Sequence, residues 1–93
     1  MNLVVQHRVA DFDSWKPVFD DHEAARVAAG AKRHWIFTDA DDRNDVVVVI
    51  EYDTRAQAEA LLADPSLREA MAKAGVVGEP HIHFRTLAET KDY

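Results

Sequence analysis

The chain has no cysteine, which removes disulfides, thiolate nucleophiles and cysteine metal sites from consideration. Only three glycines occur, Gly30, Gly75 and Gly78. They read as stops and turns, so no glycine-rich loop is available to cradle a phosphate. No nucleophile motif is present either. Basic residues are outnumbered by acidic ones, 11 against 17, and they are scattered along the chain. That spread argues against a nucleic-acid footprint and against binding to an anionic membrane surface. The N-terminal stretch MNLVVQHRV shows no basic segment followed by a long apolar one, and nothing approaches the length of a transmembrane helix. A soluble cytoplasmic protein is therefore the expectation.

What is present is alternation. At 93 residues the chain makes one compact domain, residues 1–93, too small to bury most of its surface alone. The run DVVVVIEYD, Asp45 to Asp53, reads as a strand apolar on both faces. Val46, Val48, Ile50 and Tyr52 point one way, and Val47 and Val49 the other. Such a strand needs two covers.

The remaining elements follow in order. Leu3 to Val9 alternates as a strand with Leu3, Val5, His7 and Val9 on one face and Val4, Gln6 and Arg8 on the other. Asp11, Asp13 and Ser14 supply turn and N-cap oxygens for a helix that follows to about Ala29, with Gly30 as its stop. Ser14 is favoured over Asp13 as the cap because Pro17 then falls in the first turn. Ala31 to Thr38 is a second strand, joined by the polar turn DADDRN to the opening run in a hairpin. Asp53 or Thr54 caps a second helix through Ala63, which DPS bends and Pro65 to Ala74 continues up to Gly75. A last strand, His81 to Leu87, precedes a frayed tail. The order βαββαβ predicts an α+β, ferredoxin-like split βαβ fold, with a four-stranded antiparallel sheet and both helices on one face. The helices cover one side of the opening strand. Val4, Val47 and Val49 on the other side predict a homodimer in which two open sheet faces pack together; the alternative is a monomer with a half-apolar open sheet.

The stretches HRVADFDSWKPVFDDHEAAR, DADDRNDVVVVIEYD and LREAMAKAGV together resemble a group of small bacterial proteins in the dimeric α+β-barrel superfamily, that of the antibiotic-biosynthesis monooxygenases. The resemblance spans nearly the whole chain. It implies the fold and the dimer, and a ligand cleft between the sheet and helices of each subunit. It leaves the chemistry open, because that superfamily includes cofactor-independent monooxygenases, cyclases, isomerases, haem-degrading enzymes and proteins without a known reaction. The asparagine, tryptophan and histidine sets of its quinone-forming and haem-degrading members are not carried over. The only asparagines here are Asn2 at a terminus and Asn44 in a turn, and no cofactor is expected.

The helix-facing layer then supplies the candidate site. Trp15, Val18, Phe19, Ala25 and Ala29 form one stripe at helical spacing, with His22 near its centre and Arg26 one turn further on. His7 shares its strand face with Leu3, Val5 and Val9. Two histidines, one from the sheet and one from the helix packed on it, thus point into one apolar interior, walled by Trp15, Phe19 and Tyr52. Trp35 joins them if its strand parity faces the helices, a point on which His34 and Ile36 compete. Burial and mutual repulsion keep at least one imidazole neutral near pH 7, able to take a proton from an acidic carbon or a phenol while its partner returns one. Arg26 can hold an enolate or carboxylate. The structural alternative is a pair of core histidines satisfied by each other, by Asp11 or by water.

The other histidines read more plainly. His81 and His83 project together from the last strand, a spacing that can chelate a metal given a third ligand; His34 is distant, and Glu51 reads as an ion-pair partner of Arg8 or Arg85. No metal site is expected. The acidic turn DADDRND lacks the glycine and terminal glutamate of a calcium loop. Three functions stay open: a cofactor-independent monooxygenase, cyclase or isomerase acting on a small aromatic or enolisable substrate through His7 and His22, a non-catalytic binder of a small molecule, and a purely structural dimer.

Overall fold

The computed structural model describes residues 1–93. Alternating side chains put Asn2–Val9 (β1) in a strand. Asp11, with an extended backbone, then caps the first helix, its carboxylate accepting from the Ser14 amide at 3.1 Å and from Ser14 Oγ at 2.8 Å. The cap is thus Asp11 and not Ser14. Pro17 consequently lies inside the helix and not in its first turn, where its ring removes one helical donor.

The helical stretch that follows β1 is also broken. Phe12–Asp21 (α1) and Glu23–Ala29 (α2) are separated at His22, where ψ rises to 8°. The His22 amide is shared between the carbonyls of Val18 and Phe19, each at 3.2 Å. Gly30 ends α2 in the left-handed conformation, φ 106°. The hairpin strands are Arg33–Thr38 (β2) and Asp45–Glu51 (β3). Thr54 caps Arg55–Ala63 (α3) in a reciprocal box with Gln57, and Asp64 caps Pro65–Lys73 (α4).

The last strand, Val76–Arg85 (β4), begins before His81 and stops before Leu87. Gly78, a stop or turn by sequence, and Pro80 both sit within it. The sheet order β2-β3-β1-β4 makes β4 an edge strand, where a proline without a donor is tolerated. A register shift between Gln6 and Arg8 absorbs the irregularity.

All strand pairs are antiparallel; away from that shift Val5 lies between Val48 and Ile82, and Val4 between Val49 and His83. Leu3, Val5, Val9, Val46, Val48, Ile50 and Tyr52 are buried beneath Trp15, Ala58 and Leu61 of the helices. Each large apolar side chain removed from water here contributes roughly 1.5–3 kcal/mol. The helices are therefore one cover of the doubly apolar β3. On its other face Val4, Val47 and Val49 are half-buried, while Trp35 and Phe37 are 41% and 55% exposed. No helix is long and apolar enough to cross a membrane.

Candidate functional site

Strand alternation sends His7 from β1 into the helix-facing layer, and the apolar stripe of α1 lays Trp15 and Phe19 over it. The break after Asp21 leaves His22 at the junction of α1 and α2, with Arg26 one turn on. These five side chains line a single cavity, closed on its far side by Leu61 and Leu62 of α3 and Leu67 and Met71 of α4. About 60 Å³ of it is open to water-sized molecules. On the scale where one water needs roughly 10–15 Å³, that is space for about four to six.

The wall is a row of touching rings. His7 meets Trp15 edge-on at 5.7 Å between centroids, Trp15 stacks on Phe19 at 4.9 Å, and the Arg26 guanidinium lies 3.7 Å above the Phe19 centroid. His7 is 6% exposed and neither ring nitrogen meets a protein partner. Burial holds its pKa below the ordinary histidine value. Asp11 does not bond to it; its Oδ2 accepts from Ser14 instead. His22, half-buried, has its Nε2 at 2.9 Å from Ser66 Oγ. Arg26 Nη1 donates to the Phe19 carbonyl at 2.8 Å, and Nη2 is buried without a partner.

Two expected members are elsewhere. Trp35 pairs with Val49 and therefore stands on the open sheet face, where it lines a depression with Phe37, Val49 and Glu51; His34 and Ile36 take the helix side. Tyr52 is only 1% exposed but belongs to the packed core and does not line the cavity. Its hydroxyl is buried without a partner, and burial pushes its pKa up against the opposing pull of Arg26.

Two residues not singled out for the site from the sequence are near it. Ser66, half-buried at the start of α4, contacts His22; in the sequence it belongs only to the bend DPS. His34 packs edge-on against Phe19 at 5.1 Å, and its pKa is lowered by partial burial and by the charges of Arg26 and Lys16.

No protein-family profile matches the chain, and no curated protein matches it. Solved structures do match its architecture. SnoaB, a cofactor-independent oxygenase from Streptomyces nogalater, aligns over 95% of this chain and 96% of its own with a TM-score of 0.70 at 20% identity. A protein of Bordetella bronchiseptica, provisionally described as an antibiotic biosynthesis monooxygenase, aligns over 92% and 96% with a TM-score of 0.74 at 10% identity. One of Caulobacter crescentus CB15, described likewise, aligns over 95% and 89% with a TM-score of 0.73 at 18% identity. The chain has the antibiotic-biosynthesis-monooxygenase-like α+β fold. At these identities the likeness carries the architecture and assigns no residue a role.

Within this monooxygenase-like fold the remaining histidines do not converge. His81 and His83 pair with Gln6 and Val4 on the open face, opposite the side that His34 occupies. Glu51 is held by Arg33 at 2.8 Å, not by Arg8 or Arg85. Arg8 instead pairs with Asp42 at 2.7 Å, and Arg85 contacts His83 at 3.2 Å.

Proposed function

We propose that the protein is a homodimeric small-molecule enzyme that needs no cofactor and moves a proton on a small aromatic or enolisable substrate, with His7 as base and His22 as acid. The observation that carries this reading is His7: buried, both ring nitrogens free of protein partners, in a cavity it shares with a second histidine. A depressed pKa keeps its imidazole neutral at pH 7, the form that accepts a proton from an acidic carbon or a phenol. Trp15 and Phe19 give the substrate an apolar wall, and expulsion of water by a bound substrate strengthens each polar contact inside the cleft. His22 faces the same space with one ring nitrogen oriented by Ser66, which suits it to the second proton transfer. The resulting carbanion or phenolate then meets dioxygen, cyclises or is reprotonated at another atom, and substrate structure decides which.

The dimer is part of the same reading. Exposed Trp35 and Phe37 adjoin half-buried Val4, Val47 and Val49 on the open face. A contiguous apolar surface of this kind marks an interface. A second copy of the sheet supplies the cover that β3 lacks.

A second reading, binding without turnover, is favoured by one fact: the Nε2 of His22 is committed to Ser66. Incubation with small phenols and β-diketones, scored by product formation and by ligand binding, separates the two. His7→Ala should lower turnover by about 10²–10⁴ while binding persists. Binding by the parent protein with no turnover of any such compound establishes the second reading.

A further inference from the structure

Arg26 is the one charged group in the cavity that the acid–base step leaves without a task. It is 4% exposed, and its only side-chain hydrogen bond is from Nη1 to the Phe19 carbonyl. Nη2 is buried and has no partner. No carboxylate reaches ion-pair distance. Asp20 is held by Lys16 at 2.6 Å, and Glu23 and Asp20 act on Arg26 only through longer-range attraction. A guanidinium does not shed its charge at neutral pH, and a buried cation with an unused donor and no counter-ion is unfavourable until an anion arrives.

The row of rings gives such an anion a direction. Arg26 stands at one end, on Phe19, and His7 at the other, on Trp15. The space between is lined by apolar side chains apart from His22. We infer that the cleft takes a small molecule bearing a carboxylate, which accepts a hydrogen bond from Arg26 Nη2 while a flat apolar body lies along Phe19 and Trp15 toward His7. This rests on the ligand-binding reading above and deepens it, because the anchor is a permanent charge distinct from the proton that His7 removes. One free donor on one cation matches a monoanion, and a charge-assisted bond in this setting is stronger than a neutral one. A phosphate dianion would bring a second charge with nothing to offset it.

Benzoate and nitrobenzene share shape but not charge. Binding is read from the Trp15 indole and His7 ring resonances of the full chain and of Arg26→Met, with the remaining resonances reporting that the variant is folded. The parent protein should bind benzoate at least as tightly as nitrobenzene. Arg26→Met should weaken benzoate by about tenfold or more and leave nitrobenzene within about twofold. Equal effects on both ligands, or on neither, overturn the carboxylate anchor. If Arg26→Met does not fold, the parent protein decides alone: a preference for nitrobenzene overturns the anchor and leaves the ligand cleft standing. If neither compound moves the cleft resonances, the cleft admits no flat small molecule, and both the anchor and the ligand-binding reading fall.

Discussion

His7 ties the chemistry of the cleft to the stability of the fold. In the unfolded chain an imidazole takes up its proton near its ordinary value of 6.5, whereas burial in the folded protein delays protonation to lower pH. Between those points the unfolded state binds more protons, so stability is full above about pH 6.5 and is lost as the pH falls through the folded value. His34, also depressed, adds with the same sign. Asp42 and Asp64, held below the ordinary carboxylate value by Arg8 and by Ser66 respectively, act only in a more acidic range. The urea midpoint should therefore drop between about pH 7.5 and about pH 5, and His7→Phe should flatten that drop; an unchanged slope would contradict the burial argument. At this scale the sequence was readable where periodicity was clean. Leu3, Val5 and Val9 show which way His7 points, and the stripe from Trp15 to Ala29 brings Phe19, His22 and Arg26 to the same interior. Trp35 was not readable. RHWIFT is apolar on both parities, and only its pairing with Val49 decides the face.

The elements around the cavity depend on a few backbone conformations. Gly30 closes α2 at φ 106°, and a Cβ there would lie 2.6 Å from Gln57 Nε2. Gln57 is not free to move without cost, since its Oε1 accepts from the amides of Asp53 and Thr54 at 3.0 and 3.1 Å in the cap of α3. Gly30→Ala should then cost roughly 1–3 kcal/mol, from left-handed strain plus the displaced cap. Gly78, at φ 74° with nothing within 4 Å, carries the strain alone. Denaturation midpoints of the two alanine variants test this, and an equal loss at both positions would mean that the Gln57 contact is immaterial. The sequence narrows the cap of α3 to Asp53 or Thr54, and the reciprocal box with Gln57 decides for Thr54. The break at His22 is not legible, because DDHEAAR contains neither glycine nor proline and reads as continuous helix. The early start of β4 is hidden for the opposite reason, its Gly78 and Pro80 being breakers everywhere except on an edge strand.

The whole molecule has two apolar sheet faces and one set of helices. Much of its topology follows from the doubly apolar run Asp45 to Asp53, since βαββαβ order and handed crossovers leave few arrangements that cover even one side. Val49→Lys places a charge on the open face beside Trp35 and Val4 and should shift the protein toward monomer or aggregate in light scattering; an unchanged dimer would show that the sheets do not pack through this face. On the helix side the cavity space of about 60 Å³ is small for an aromatic ring, so the proposed function requires a wall to yield. Helix α4, which buries no residue fully, has the least packing to lose. Whether the cleft performs proton chemistry at all is decided most directly by deuterium exchange. An enolisable β-diketone that binds in the cleft is held in D2O, and incorporation is followed by NMR with the parent protein and with His7→Ala. Protein-accelerated exchange that falls by about 10²–10⁴ in the variant is expected; exchange at the same rate in both proteins would show that His7 is not the base.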